Sequence, residues 1–256
     1  MEDFLTANYH AHTFRCRHAY GTEQEYIEAA IEMGIKELGF SDHIPCPFQD
    51  GYVSGIRMTM EEAPGYVETI RRLAWQYQGA IRLYVGFEAE YLPEFYDEQM
   101  RMFNRLDCDY LILGQHFLRS EASGPYMGTE TDDEGRIRAY VDTVIAGMET
   151  GSFLYLAHPD LINYRGMDAV YDWEMTRLCR RLLELDIPLE LNVLGMGTGR
   201  NYPSDRFWKI PGEIGNRVIL GLDAHCVEHM KDRGSYAKCM EIVEKYNLNL
   251  INSIKI

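Results

Sequence analysis

The chain alternates between short apolar runs with the two-residue period of β-strands and longer stretches with the spacing of amphipathic helices. The predicted strands are 6–12, 36–42, 81–88, 109–116, 153–158, 187–193 and 217–223. The predicted helices are 22–34, 62–78, 94–106, 134–150, 169–185 and 234–246. Strands and helices that alternate in this way predict an α/β fold with a parallel sheet. Seven or more such units favour a barrel, with a doubly wound open sheet as the alternative.

Two of the predicted helices begin with a capping signal. Thr22 is followed three residues later by Glu25, as in a capping box, and Gly34 is placed to end the same helix. Thr59 and Glu62 repeat the same spacing before the next predicted helix. These residues support helix starts at 22 and near 62.

The composition is that of a globular protein. The 256 residues are 46% hydrophobic and 12% aromatic, and no linker or repeat divides them, so a single domain over residues 1–256 is expected. No apolar run is long enough for a membrane helix and the amino terminus lacks a signal-peptide pattern, which predicts a cytoplasmic protein with no membrane partner. Six cysteines without a Cys-x-x-Cys pair argue against disulfides and a zinc ribbon, and a net charge of −15 disfavours nucleic acid as a partner.

Seven of the eight histidines lie at or just beyond the ends of predicted strands. His10 and His12 alternate on the first strand, so both side chains point to the same side. Five later strands end in motifs that contain a possible metal ligand: Ser41-Asp42-His43, Gly86-Phe87-Glu88, Gly114-Gln115-His116, Ala157-His158-Pro159-Asp160 and Asp223-Ala224-His225. Because the carboxyl ends of parallel strands form one face of a barrel, we expect these side chains to converge.

Nine residues are predicted metal ligands: His10, His12, His18, His43, Glu88, His116, His158, Asp223 and His225. Nine ligands are too many for one four-coordinate ion and suit two or three divalent ions, with Glu88 or Asp223 as a bridging carboxylate. The many imidazoles favour zinc, manganese or iron over magnesium or calcium. Asp42 and Asp160 adjoin predicted ligands, and they either orient them or are solvated loop carboxylates. His229 is left out because a surface helix position is the simpler interpretation.

The glycine-rich stretch 195–200 follows the sixth predicted strand. It does not match the dinucleotide-binding motif, since Arg200 stands in place of the third glycine and Tyr202-Pro203 follow in place of a helix start. We predict a mobile loop that brings the Arg200 guanidinium to a phosphate group. Arg165 and Arg57 are further predicted phosphate-binding residues, with a solvated surface charge as the alternative for each.

Together these motifs resemble the PHP family, named for polymerase and histidinol phosphatase, and within it the histidinol-phosphate phosphatase branch. The similarity runs over nearly the whole chain and also includes Leu189-Glu190-Leu191-Asn192 and Tyr202-Pro203-Ser204. It implies a single-domain, distorted (β/α)7 TIM-like barrel with a trinuclear metal site. It further implies three ligand groups: His10, His12, Glu88 and Asp223; Glu88, His116 and His158; and His18, His43 and His225.

The resemblance implies a metal-dependent phosphomonoesterase that hydrolyses a small phosphorylated substrate, L-histidinol phosphate, in histidine biosynthesis. The predicted catalytic residues are Glu88, Asp223, Asp160 and Arg200. Segments 13–17 and 195–200 depart from the family pattern at places where substrate choice is made. The alternatives are a PHP phosphoesterase for a phosphotyrosine protein, a nucleotide or another small phosphate, an amidohydrolase-type hydrolase, and a non-catalytic metal-binding module. The sequence does not indicate an oligomeric state.

Overall fold

The computed structural model describes residues 4–48 and 51–256, so residues 1–3, 49 and 50 of the predicted single domain lie outside the described residues. The strands are β1 (Ala7–Asn8), β2 (Glu37–His43), β3 (Arg82–Ala89), β4 (Tyr110–Leu113), β5 (Leu189–Asn192), β6 (Arg217–Gly221) and β7 (Asn249–Leu250). The α-helices are α1 (Glu23–Met33), α2 (Ala63–Gln76), α3 (Pro93–Arg105), α4 (Glu134–Glu149), α5 (Asp168–Glu184), α6 (Val193–Thr198), α7 (Asp205–Ile214) and α8 (Arg233–Lys245). Short 3-10 helices lie at Phe14–Cys16 and His229–Lys231. Of the helices in this described part, none is long and apolar enough to cross a membrane.

The strands pair in parallel and form two sheets. β1 to β4 pair in chain order in one sheet, and β5 to β7 pair in chain order in the other. Backbone bridges from Leu156 to Leu113 and to Leu189 join the two sheets on one side, and a bridge between Ala11 and Ala224 joins them on the other. The strands therefore close into a ring, which confirms the predicted TIM-like barrel over the open sheet.

The segment predicted as a strand at 153–158 pairs only around Leu156. Leu154 donates a backbone hydrogen bond to the carbonyl of Leu111 at 2.7 Å, and Leu156 donates one to the carbonyl of Pro188 at 3.1 Å. These bonds link β4 to the start of β5. The segment therefore takes the place of a strand in the ring but is shorter than predicted.

Hydrogen-bonded capping turns form before both α1 and α2. Thr22 accepts a hydrogen bond from the Glu25 amide, the Glu25 carboxylate accepts one from the Thr22 amide, and Gly34 ends the helix with a φ of 84°. Thr59 and Glu62 exchange the same two hydrogen bonds. This second turn lies before the first residue of α2, Ala63, so the helix begins one position later than predicted.

Two α-helices and one strand were not predicted from the sequence: α6, α7 and β7. Asn192 at the end of β5 caps α6 by accepting a hydrogen bond from the Gly195 amide at 2.8 Å. The prediction of a loop at 195–200 is therefore wrong for its first four residues, which are helical. Ser204 caps α7, and Pro211 lies inside that helix. Glycine and proline lower helix propensity, so capping and tertiary packing, rather than propensity, define these two helices.

Tyrosines fill the inside of the barrel below the carboxyl ends of the strands. Tyr9, Tyr110 and Tyr155 come from different sides of the ring and are buried in one apolar cluster. The Tyr110 hydroxyl donates a hydrogen bond to the backbone oxygen of Tyr9 at 2.7 Å. Glycine is required opposite this ring, because a Cβ at Gly39 would lie 2.2 Å from the Tyr110 hydroxyl oxygen. This packed layer forms the floor on which the polar side chains of the strand ends rest.

Candidate metal centre

The nine predicted ligands are brought together on one face of the barrel. They form groups of three side chains whose ligand atoms lie within 4.8 Å of one another. Among the described residues these groups are His18, His43 and His225; His10, His158 and Asp223; His10, His12 and Glu88; and His43, Glu88 and His116. A fifth group, His12, Cys16 and His225, includes a cysteine that was not predicted as a ligand. Side chains from opposite ends of the sequence therefore share one small volume, as expected for strand ends of a barrel.

Glu88 lies at the centre of this cluster. Its Oε1 lies 2.8 Å from His158 Nε2 and 3.4 Å from His116 Nε2. Its Oε2 lies 2.9 Å from His43 Nδ1 and 3.5 Å from His12 Nε2. The two oxygens face different imidazoles, which is the arrangement that a carboxylate bridging two ions requires.

Asp223 approaches the cluster from another side. Its Oδ1 lies 3.3 Å from both His10 Nε2 and His12 Nε2, and 3.4 Å from His225 Nδ1. Asp223 has a φ of 50° and His158 has a φ of 30°, values that residues other than glycine rarely adopt. Such backbone strain tends to occur at functional sites. The backbone here is thus bent to direct both side chains into the cluster.

Three histidines form a separate group at the edge of the cluster. His18 Nε2 lies 3.0 Å from His225 Nε2, and the His18 and His43 rings stack with centroids 5.4 Å apart. His18 Nδ1 lies 2.6 Å from the backbone oxygen of Cys16. That contact occupies one ring nitrogen of His18 and leaves the other directed toward its neighbours.

Several buried nitrogens of the cluster have no hydrogen-bond partner among the residues that the structure describes. They are Nε2 of His10, both ring nitrogens of His12 and Nδ1 of His158. A buried polar atom without a partner costs about 1–3 kcal/mol, and a bound metal ion would satisfy the nitrogens that face the cluster, Nε2 of His10 and of His12. A donor set of imidazoles and carboxylates suits zinc, manganese or iron. The residues present therefore fit a metal centre.

The charges of the cluster favour a cation. Burial raises the pKa of Glu88, but the imidazoles of His116 and His43 outweigh it and hold that pKa well below its usual range. Burial lowers the pKa of His43 to about 3, so its imidazole is neutral near pH 7 and able to bind a metal. Burial also lowers the pKa of His10, but the nearby carboxylate of Glu190 raises it well above the usual value. The buried carboxylates thus create a negative potential that a divalent ion would offset.

Comparison with known proteins assigns the family. Residues 8–193 match the PHP domain. The chain belongs to the PHP domain family. A relative from Deinococcus radiodurans named "Probable histidinol-phosphatase" is 29% identical over 228 residues, which cover 84% of this chain and 85% of that protein.

Two solved structures share the fold of this PHP domain protein. One, from Listeria monocytogenes, aligns with a TM-score of 0.75 at 20% identity and covers 91% of this chain and 100% of its own. The other is histidinol phosphate phosphatase from Lactococcus lactis in complex with zinc, L-histidinol and phosphate. It aligns with a TM-score of 0.71 at 18% identity and covers 96% of this chain and 95% of its own. Both similarities support a TIM-like barrel.

A buried glutamate contacts His10 at the candidate metal centre of this PHP domain protein. It was not predicted from the sequence as a site residue. Glu190 Oε1 lies 2.7 Å from His10 Nδ1, and its Oε2 accepts hydrogen bonds from the His158 amide and the Asn192 side chain, both at 3.0 Å. Glycine opposite provides the space, because a Cβ at Gly221 would lie 1.7 Å from Glu190 Oε1. The signal in the sequence was an acidic residue within an otherwise apolar strand.

Asp42 lies next to a predicted ligand. The sequence left open whether it orients a ligand or is a solvated loop carboxylate. Its Oδ1 lies 3.6 Å from His12 Nδ1, and its Oδ2 accepts a hydrogen bond from the Thr13 hydroxyl. Asp42 is fully buried, so it is not a solvated loop carboxylate. A carboxylate beside the second nitrogen of an imidazole restricts the orientation of the ring.

The contacts of Arg57 do not support the predicted phosphate-binding role. The Arg57 side chain is 1% exposed, and its guanidinium donates hydrogen bonds to Glu90 at 3.0 and 3.1 Å and to Glu121 at 2.7 Å. Glu90 in turn lies 3.1 Å from His116 Nδ1. The guanidinium is therefore occupied by protein acceptors. Glu90, two residues after Glu88, was not predicted, although this spacing places both acids on one side of the extended chain.

Arg200 lines a cavity of about 180 Å³ beside the predicted ligands. Apolar and aromatic side chains form another part of its wall: Ile56, Phe117, Tyr126 and Tyr202. Arg200 NH1 donates a hydrogen bond to the Tyr202 hydroxyl at 2.8 Å. The guanidinium is thus held next to the cluster, which is the position that the predicted phosphate-binding role requires.

Asp160 and Arg165 are not among the residues that line this cavity. Asp160 is buried, its Oδ2 accepts a hydrogen bond from the Ser204 amide at 2.7 Å, and burial raises its pKa to about 7. The Arg165 side chain is 60% exposed and lies 3.5 Å from Glu130. These positions do not support the catalytic role predicted for Asp160 or the phosphate-binding role predicted for Arg165. Asp160 instead anchors the segment that leads into α7.

Proposed function

We propose that this PHP domain protein is a metal-dependent phosphomonoesterase that hydrolyses L-histidinol phosphate to L-histidinol and inorganic phosphate. The observation that carries the proposal is the convergence of seven imidazoles with Glu88 and Asp223, in groups whose ligand atoms lie within 4.8 Å. The name of the Deinococcus relative and the zinc, L-histidinol and phosphate in the Lactococcus structure support this choice of substrate. Such an enzyme takes part in histidine biosynthesis, and a cytoplasmic location stays a prediction.

The cluster is proposed to hold two or three divalent ions. Glu88 is the proposed bridge between two of them, because its two oxygens face different imidazoles. His18, His43 and His225 are the proposed ligands of a third ion. Zinc is the first candidate, since the related Lactococcus structure contains it, and manganese and iron are the alternatives.

A divalent ion in such a centre lowers the pKa of a bound water and offsets negative charge on phosphoryl oxygens. The protein supplies the geometry. Glu190 restricts the ring of His10. Arg200 is placed to donate paired hydrogen bonds to two phosphate oxygens. Because the Tyr202 hydroxyl already holds the Arg200 guanidinium, less conformational freedom is lost when substrate binds.

The remainder of the cavity wall suits a small organic group next to the phosphate. Ile56, Phe117 and Tyr126 provide apolar and aromatic surface, whereas Glu88 and Asp223 are the acidic residues among the described residues that line the cavity. Aromatic faces bind both flat rings and cations. This combination is compatible with the imidazole and the ammonium group of L-histidinol phosphate.

A phosphate-release assay with purified, metal-reconstituted protein tests the proposal. The protein is reconstituted separately with zinc, manganese and iron and is offered L-histidinol phosphate, a phosphotyrosine peptide and nucleoside monophosphates. We expect the highest kcat/KM with L-histidinol phosphate and no release after chelation. Faster hydrolysis of a phosphotyrosine peptide or a nucleotide would contradict the proposed substrate, and release from no phosphate ester would contradict the proposed enzyme class.

A further inference from the structure

Glu90 contacts a predicted metal ligand on one side and a buried arginine on the other. Its Oε1 lies 3.1 Å from His116 Nδ1. Its two oxygens accept hydrogen bonds from NH1 and NH2 of Arg57 at 3.0 and 3.1 Å. The side chains of Glu90 and Arg57 are each 1% exposed, so water does not compete for these contacts. The paired hydrogen bonds therefore hold the Glu90 carboxylate in one orientation.

Arg57 is itself held from two further directions. Its Nε donates a hydrogen bond to Glu121 at 2.7 Å, and NH1 donates one to the backbone oxygen of Ile44 at 2.9 Å. Because desolvation offsets most of the attraction in a buried ion pair, stability alone is a weak reason for this arrangement. A carboxylate beside the second nitrogen of a ligating imidazole has another effect, since it fixes the ring and its tautomer. Here a proton on His116 Nδ1 would donate to Glu90, and Nε2 then faces Glu88, 3.4 Å away.

We propose that Arg57 and Glu90 are a pair of positioning residues for the metal centre. Arg57 fixes Glu90, and Glu90 fixes His116 for the ion that is proposed to lie beside Glu88. The residue before Arg57, Ile56, lines the cavity, so the same pair connects the cavity wall to the metal. This inference rests on the metal centre of the proposed function, and it holds for any phosphate ester that the centre hydrolyses.

The substitution Glu90→Gln tests the inference by a measurement that needs no substrate. Glutamine has nearly the same size as glutamate, but it lacks the two negatively charged oxygens that contact His116 and Arg57. Zinc affinity is measured at fixed pH by competition with a chromophoric chelator. We expect the affinity for one of the bound ions to fall by about 10- to 100-fold, while the affinity for the others is retained.

Glu121→Gln is the matched control, because Glu121 contacts the same guanidinium but is not a contact of His116. We expect this control to keep the zinc affinity of the unmodified protein. In a His116→Ala background, Glu90→Gln should have no further effect on zinc affinity, since the pair acts through that ring. Equal losses of affinity for Glu90→Gln and Glu121→Gln, or a lower melting temperature with unchanged zinc affinity, would show a purely structural network and overturn the inference.

Hydrogen exchange over residues 54–58 provides a second readout. Because coupling between two sites is reciprocal, zinc should slow exchange in this segment of the unmodified protein but not of Glu90→Gln. If Glu90→Gln does not fold, Arg57→Lys replaces it, because lysine keeps the charge and loses the paired hydrogen bonds. A zinc-independent exchange rate in the unmodified protein would contradict the coupling. A protein that binds zinc as expected but hydrolyses no phosphate ester would refute the proposed function and leave this inference intact.

Discussion

Glu88 lies within 3.6 Å of ring nitrogens from five imidazoles of the cluster: those of His10, His12, His43, His116 and His158. Its carboxylate also lies beside Gly114, where a Cβ would be 1.9 Å from Oε1. The pKa of Glu88 is well below its usual range despite burial, because the imidazoles around it stabilise the charged form. We therefore expect the proposed metal centre to depend strongly on the charge of Glu88.

We therefore expect Glu88→Gln to lower phosphatase activity by at least ~100-fold, at the upper end of the effects seen around metal sites. The substitution keeps the size of the side chain but removes the charge between the proposed ions, so the metal content should fall as well. Steady-state phosphate release and elemental analysis measure the two effects. Glu174→Gln, which removes a buried carboxylate paired with Arg177 on α5, is the control and should retain both properties. A folded, metal-loaded Glu88→Gln protein with normal turnover would refute the bridging role.

The close contact between Gly221 and Glu190 leads to a stability prediction. A methyl group at Gly221 would lie 1.7 Å from Glu190 Oε1, so Gly221→Ala must displace a buried carboxylate or the backbone. We expect the free energy of unfolding in urea to fall by about 1–3 kcal/mol. Gly65→Ala in α2 is the matched control, because apart from its own helix backbone no atom of the described residues lies within 4 Å of its Cβ position, and it should be neutral or stabilising by up to about 1 kcal/mol. Equal effects of the two substitutions would contradict the close contact.

The convergence of the predicted ligands could be expected from the sequence, whereas the residues around them could not be predicted. Residue type and position at a strand end were sufficient to select side chains such as His43 and Glu88. The supporting roles of Glu90 and Glu190 depend on which side chain lies opposite, and the partners are far away in the sequence. The same reason applies to Arg57, since only the fold reveals the two glutamates around its guanidinium.

The elements that carry the site differ in how clearly the sequence specifies them. Strands β2 and β3 and helix α1 follow from apolar runs and a capping box, and their boundaries lie close to the predicted ones. Helix α6 contains Gly195 and Gly197 and forms because the Asn192 side chain caps it, an interaction with no strong pattern in the sequence. The strand predicted at 153–158 is reduced to a bridge, because its neighbours pair with it only around Leu156.

Helix α6 also determines where Arg200 lies, since the chain leaves the helix at Gly199 with a φ of 66° and the Arg200 amide donates to the Gly195 carbonyl at 3.1 Å. Arg200→Ala should keep the metals but lower kcat/KM by roughly 10- to 100-fold, because a hydrogen bond from a charged group to phosphate contributes about 1.5–3 kcal/mol. Steady-state kinetics measure the effect. A fall in kcat would mean that Arg200 binds the transition state more tightly than the ground state. A rise in KM alone would mean that it binds both states equally.

Arg165→Ala is the matched control for Arg200→Ala. The Arg165 side chain is 60% exposed and paired with Glu130, which is also exposed, an interaction of small energetic value. We expect its kcat/KM to equal that of the unmodified protein. Loss of efficiency in Arg165→Ala with none in Arg200→Ala would reverse the assignment of the phosphate-binding arginine.

Closure of the barrel brings the segment after β1 and the segment after β6 together at the candidate metal centre. The bridge between Ala11 and Ala224 places His10 and His12 beside Asp223, more than two hundred residues later in the sequence. The whole molecule carries a net charge of −15, which repels an anionic substrate. Divalent ions in the cluster and the nearby Arg200 would supply the local positive charge that a phosphate ester requires. Hydrolysis is therefore expected to depend on bound metal.

Titration of the metal-free protein with zinc tests this dependence most directly. The protein is stripped with a chelator, its metal content is checked by elemental analysis, and phosphate release from L-histidinol phosphate is followed after each addition. We predict no release at the start and a rise that ends at about two to three zinc ions per chain, the number that the nine ligands suit. Phosphate release at the full rate by protein shown to be free of metal would contradict the central claim.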